Sequence, residues 1–124
     1  MGNEADPISV FHKDVKGAVV FAVDAKGNLP AAAFWKKELK PEERRKFMNL
    51  FRRLCSVGKI VNPEQFKHEE DGIYAFKIFQ KRLYCFQLGP CWHITNGCTK
   101  KKNKADPTEL SRAKRIRSEY QARK

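Results

Sequence analysis

Two groups of cations stand where they could act together on a phosphate. Lys77 and Arg82 flank the short gap between two aromatic-rich runs, and Lys100, Lys101, Lys102 and Lys104 form the densest basic run of the chain. His93 precedes that run by seven residues. From Lys77 to Lys124 there are 13 basic and 3 acidic residues, a balance of +10, whereas the first 76 residues carry 13 basic and 11 acidic, a balance of +2. Such residues suit cleavage of RNA without a metal. RNA carries its own nucleophile, the 2′-hydroxyl. A protein need only align it with the adjacent phosphorus, accept its proton, stabilise the charged phosphorane and protonate the leaving oxygen. By analogy with oxyanion holes, each well-placed donor lowers such a barrier by roughly 3–4 kcal/mol. A lysine or histidine among other cations has its pKa lowered, which fits it for proton transfer, and crowding among Lys100–Lys104 works in that direction.

The elements that must position these groups follow from hydrophobic period and turn chemistry. Residues 1–16 are mixed and polar, and are expected to form a loosely ordered lead-in to a single domain over 17–124. Ala18–Val23 is a short apolar run between Gly17 and the Asp24-Ala25-Lys26-Gly27 turn, as for a strand buried on both faces. Pro30 opens a helix running to about Leu39, and Pro41 opens a second, with Glu42 and Glu43 favourable in its first turn. Phe47, Leu50, Phe51 and Leu54 make its apolar stripe, and Gly58 stops it. From Gly72 the period changes to two. Ile73–Phe79 and Arg82–Leu88 read as antiparallel strands joined at Gln80-Lys81. Cys91–Thr95 makes a further strand, with Asn96-Gly97 as the next turn. Asp106 then caps a last helix, with Pro107 in its first turn and Glu109 at capping-box spacing. The implied fold is α+β: an antiparallel sheet of about four strands, a two-helix hairpin packed on one face, and a C-terminal helix.

Strand alternation sorts the side chains. Tyr74, Phe76 and Ile78 share the expected core face, and Lys77 projects from the other. It is either an ordinary lysine on a half-wet sheet or a cation set in a groove, with Arg82 just across the hairpin. With Trp92 in the core, His93 falls on the open face, where it is either structural or part of the site. Arg112, Lys114, Arg115 and Arg117 form a second basic cluster on the last helix. Cys91, His93 and Cys98 could be imagined around zinc, but C-x-H-x4-C matches no standard ligand spacing and lacks a fourth ligand. Neither a nucleotide-binding loop nor a Ser-His-Asp order is present.

Composition narrows the class. The 124 residues make one domain, with 26 Lys and Arg against 14 Asp and Glu, a net charge of +12. That balance points to a polyanionic partner, with solubility alone as the plain alternative. No run approaches the roughly 18 apolar residues of a membrane helix, and no export signal is recognisable. The four cysteines are therefore expected to be reduced, in a cytoplasmic protein.

Four stretches resemble one family. Asp24–Pro30 with Phe34 and Leu39, then Pro41-Glu42-Glu43-Arg44 with Leu50, Leu54 and Gly58, are similar to the first strand-to-helix passage and second helix of the phage-derived branch of the RelE/HigB toxins. Asp71–Ile78 followed by Arg82-Leu83-Tyr84 resembles its hairpin. Gly97-Cys98-Thr99-Lys100-Lys101-Lys102-Asn103-Lys104, then Pro107–Leu110 and Ala113, resembles its glycine, lysine-lysine, proline and glutamate signature. The resemblance spans about Val19 to Tyr120. It implies a RelE-like fold, the toxin of a type II toxin–antitoxin pair, and ribosome-dependent cleavage of mRNA in the A site, with neither metal nor small-molecule cofactor. It also implies a cognate antitoxin, expected to be a small helix-turn-helix protein. Carried over by position, Lys77, Arg82, Lys100, Lys101 and His93 are the catalytic candidates. RNA-binding candidates are Lys102, Lys104, Arg112 and Arg115. His93 sits about three residues early for the family histidine, and Leu110 stands where some relatives carry a tyrosine. Two other readings use the same scaffold: a ParE-like toxin that poisons gyrase without catalysis, and a nucleic-acid-binding or regulatory member without cleavage.

Overall fold

In the computed structural model, residues 17–100 and 106–122 are described in full and residues 10–14 by their backbone. The described elements run β1 (Val10–Asp14), β2 (Gly17–Phe21), α1 (Pro30–Glu38), α2 (Pro41–Val57), β3 (Phe66–Glu70), β4 (Ile73–Ile78), β5 (Lys81–Leu88), β6 (Cys91–Thr99) and α3 (Pro107–Ala122). The α+β class matches the reading of the sequence. The sheet is larger than expected, with six strands in the order β1-β2-β6-β5-β4-β3. It is also mixed, because β2 pairs parallel with β6 while the other pairs are antiparallel. β1 lies within the stretch expected as a lead-in, and β3 lies in a stretch given no element. Each adds one edge strand. Lys101, Lys102 and Lys104 lie outside the described residues.

The helices are placed by their apolar faces. In α2, Phe47, Leu50, Phe51 and Leu54 are all buried, as their helical spacing demands. The Glu43 carboxylate accepts the Lys40 N–H at 2.8 Å, closing the N-terminus, and Gly58 ends the helix with φ +96° and its N–H on the Leu54 carbonyl. A side chain there would be strained, so glycine is the residue that permits this stop. α1 and α2 cover one face of the sheet, over a core of Val19, Phe21, Phe76, Leu83 and Ile94. The other face, expected to be open, is covered by α3. Leu110, Ala113 and Ile116 pack there against Ile73, Ala75, Tyr84 and Phe86. The expectation missed this because which face of the sheet a helix distant in sequence covers is a long-range choice that strand alternation does not state.

Two local departures matter for the site. The β4–β5 turn is Phe79-Gln80, one residue earlier than expected, since Ile78 pairs with Lys81. Phe79 takes φ +53°, the left-handed value that the first residue of a tight hairpin turn needs when glycine is absent. Asn96 and Gly97, expected to turn the chain, lie inside β6. Tyr84 pairs with Asn96 and Cys85 with Ile94, so Thr95 is an extra, unpaired residue. This bulge reverses the alternation. It brings Asn96 and Cys98 to the α3 face, which His93 already shares. Gly97 turns to α1, where a Cβ would come within 2.3 Å of the Phe34 ring. Its lack of a side chain serves close packing rather than a turn. Among the described residues, no helix is long and apolar enough to cross a membrane.

Candidate nucleic-acid site at the hairpin end of the sheet

Lys77 on β4 and Arg82 on β5 stand directly opposite each other. Such cross-strand partners point to the same face, here the α3 face, which Ala75 and Tyr84 share. Lys67 on β3 pairs with Ala75 and reaches the same face. Glu64, Lys67, Lys77 and Arg82 line one cavity of about 350 Å³. Three of these four are cations, which makes the cavity suited to an anion. Sequence reading did not single out Lys67 or Glu64. The alternation of Phe66 with Lys67 and His68 was the available signal.

Arg82 is 93% buried, with 7% of its surface exposed. Its Nη1 donates to the carbonyls of Phe79 at 2.9 Å and Lys81 at 3.0 Å. The guanidinium is thus locked by the hairpin turn, in a fixed orientation. Lys77 Nζ donates to the Pro63 carbonyl at 3.0 Å. Burial, and then the Arg82 charge opposite, pull the Lys77 ammonium below the usual lysine range. A lysine so placed carries a weakly held proton beside a fixed positive charge.

β6 brings Lys100, the first lysine of the basic run, to this end of the sheet. Arg82 pairs with Cys98 and Lys81 with Thr99, and the Lys100 N–H donates to the Gln80 carbonyl at 2.7 Å. Lys100 itself is buried. The site's neighbours are held rigidly from below. Tyr84 accepts a weak bond from the Cys98 thiol at 3.9 Å. Burial, then the neighbouring Cys98, holds the Tyr84 phenol above its ordinary pKa. Burial likewise pushes the Cys98 and Cys85 thiols up. Asn96 ties the sheet to α3: its Nδ2 donates to Glu109 Oε1 at 2.8 Å, and its Oδ1 accepts the Thr95 hydroxyl at 2.6 Å. Glu109 therefore serves the sheet instead of closing a capping box. Asp106 caps α3 alone, accepting the Thr108 N–H at 2.9 Å.

The remaining sequence candidates stand apart. His93 pairs with Phe86, five residues back along β6 from Cys98, or about 16 Å at strand rise. It is buried, stacked on Phe86 and tilted against Tyr120, at centroid distances of 5.1 and 4.8 Å. The α3 cover turned an expected open-face histidine into a core one. The α3 cations are engaged one by one. Arg112 faces Glu109, Lys114 pairs with Glu70, Arg115 with Glu119 and Arg117 with Asp71. Helical spacing spreads them around the axis: Lys114 and Arg117 clip α3 to the β3–β4 end of the sheet, and Arg112 and Arg115 pair within the helix. Glu119 also accepts the Ala25 N–H, and this bond, with Arg115, holds its carboxyl below the usual range. Cys91 and Cys98 sit seven residues apart on β6, roughly 20 Å, so they cannot share an ion with His93. Among the described residues no metal-binding group of His, Cys, Asp or Glu occurs.

No curated protein matches the chain at a significant level. The model of a family described as phage derived protein Gp49-like matches residues 35–118, a span from within α1 nearly to the end of α3 that takes in the hairpin and the basic run. With more than half its length matched, the chain belongs to the phage-derived Gp49-like family.

Proposed function

We propose that this protein is the RelE/HigB-like toxin of a type II toxin–antitoxin pair, a metal-independent endoribonuclease that cleaves mRNA in the ribosomal A site. Gp49-like membership agrees with that class. The observation that carries the reading is the Lys77–Arg82 pair, directly opposed in one cation-lined cavity at the sheet end where the lysine run begins. In the proposed reaction the 2′-oxygen bonds to phosphorus as the bond from phosphorus to the 5′-oxygen breaks. The products are a 2′,3′-cyclic phosphate and a 5′-hydroxyl. Arg82, held by its turn carbonyls, presents its remaining N–H groups to the phosphorane. Lys77 gives its weakly held proton to the departing 5′-oxygen, the 2′-hydroxyl proton passes to solvent water, and the charges of Lys100 and of Lys101, Lys102 and Lys104 that follow it in sequence stabilise the phosphorane. An acidic antitoxin segment over this cavity would neutralise it, and a net charge of +12 favours such a partner.

The test is inducible expression of wild type, Arg82→Ala and Lys77→Met, scored for growth arrest and for cut sites on ribosome-bound mRNA. Far-ultraviolet circular dichroism checks that each variant folds. Loss of one such donor is expected to slow cleavage by about 10²-fold or more. If both folded variants cut as wild type does, the site is wrong. Inhibition of supercoiling without RNA cleavage would move the protein to the gyrase-poisoning class. A second reading, binding without cleavage, is favoured by one observation. Leu110, where some RelE/HigB relatives carry a tyrosine, is buried in the α3 core and offers no proton. That reading expects salt-sensitive RNA affinity and no cut products.

A further inference from the structure

A second cavity, of about 420 Å³, opens beside the first, between α2 and the tip of the β4–β5 hairpin. Its wall includes Lys46, Asn49, Arg53, Asn62, Gln65 and Phe79, and Glu64 and Lys77 line it as well as the first cavity. The two spaces are therefore contiguous around Lys77. Positions 46, 49 and 53 follow helical spacing, so they form one stripe of α2 beside its buried face. The other wall is the Asn62–Phe66 segment, ordered by the Asn62 carbonyl, which accepts the N–H groups of Gln65 and Phe66. Arg53 donates to Gln65 Oε1 at 3.4 Å, which leaves the Gln65 amide N–H₂ for another partner.

Phe79 is the unusual residue of this wall. It holds φ +53°, a conformation costly for a bulky side chain, and it is 63% exposed. The core gains little from the ring. Lys46 Nζ lies 5.8 Å from its centroid, steadying it at the mouth of the cavity. An exposed aromatic platform, flanking cations and amide side chains together are the components of single-strand recognition. Bases stack on the ring, phosphates meet the cations, and amides meet base edges.

We propose that this cavity is a second nucleotide subsite, which stacks the base adjoining the Lys77–Arg82 step on Phe79 and receives a neighbouring phosphate at Lys46 and Arg53. The inference rests on the RNA-directed reading above and extends it from one phosphate to a strand.

The test is fluorescence anisotropy of the full chain with a labelled eight-nucleotide 2′-O-methyl RNA, which cannot be cleaved. Phe79→Ala and Phe79→Gly are expected to weaken binding by about 5- to 150-fold, the range for losing one base–aromatic stack. Phe79→Trp retains affinity. Lys46→Gln and Arg53→Gln each reduce the slope of log affinity against log salt by about 0.7. Phe79→Gly suits the positive φ, and far-ultraviolet circular dichroism showing that both Phe79 variants fold assigns their weakened binding to the lost ring. Wild-type affinity in both Phe79→Ala and Phe79→Gly overturns the subsite. So does competition by polyglutamate that is equally effective on wild type and Phe79→Ala, which would mark the surface as a site for an acidic protein. If the Phe79 variants bind normally while wild type still cleaves mRNA, only this subsite fails. If affinity depends on Phe79 but wild type cuts no mRNA, the subsite stands and the nuclease reading fails.

Discussion

Gly97→Ala tests how β6 is held against α1. An alanine Cβ would lie 2.3 Å from Phe34 Cδ2 and 2.7 Å from Cε2, against about 3.5–4.0 Å for favourable carbon contacts. The ring or the strand must therefore move by about 1 Å or more. Gly97 has no positive φ, so the cost is steric and not conformational. Overpacking of this kind costs typically 1–3 kcal/mol. At about 2 kcal/mol, the Tm of a domain this size falls by roughly 8 °C. Calorimetry on a double-mutant cycle isolates the cause. In a Phe34→Ala background the ring is gone, and Gly97→Ala becomes neutral or gains about 0.4–1 kcal/mol by stiffening the unfolded chain. The reasoning is refuted if Gly97→Ala alone is as stable as wild type. It is refuted equally if its penalty persists unchanged without the Phe34 ring.

Two further outcomes follow from the same face of the sheet. Asn96→Ala removes the donor to Glu109 and should cost about 1.5–3 kcal/mol, the range for a bond to a charged group. Denaturant unfolding checks the size, and Glu109→Gln, which keeps a hydrogen-bond acceptor, should cost less. The raised Tyr84, Cys85 and Cys98 groups predict alkaline sensitivity. Folding holds their protons more tightly than the unfolded chain does, so their contribution is full below about pH 7.5, before the unfolded thiols, of pKa about 8.5, begin to ionise. It is lost as pH rises through their folded values. Tm should fall from about pH 8 upward, and Tyr84→Phe should flatten the part of that slope above about pH 10; an unchanged slope would contradict the assignment.

What local chemistry dictates was legible from the residues alone. The proline starts and glycine stop of the α1–α2 pair, the period-two hairpin and the Asp106 cap depend on interactions within a few residues of one another. Sequence alone also put Lys77 and Arg82 near one hairpin, but with its turn one residue late; the observed register set them face to face. Tertiary structure decided the rest. The Thr95 bulge carries no mark in composition, yet it sets which side chains of β6 face α3. The packing of α3 on the second face turned His93 from a candidate reagent into a core aromatic neighbour. Ion pairs with Glu70, Asp71, Glu109 and Glu119 occupied the α3 cations, and three of those four bonds join α3 to the distant β3–β4 turn or tie a residue that braces the β2–α1 loop. Charge and period are properties of a segment, whereas burial and pairing belong to whatever the fold brings against it, and it was those long-range contacts that placed Lys67 beside the hairpin cations and set Lys46 and Arg53 around the same cavity as Phe79.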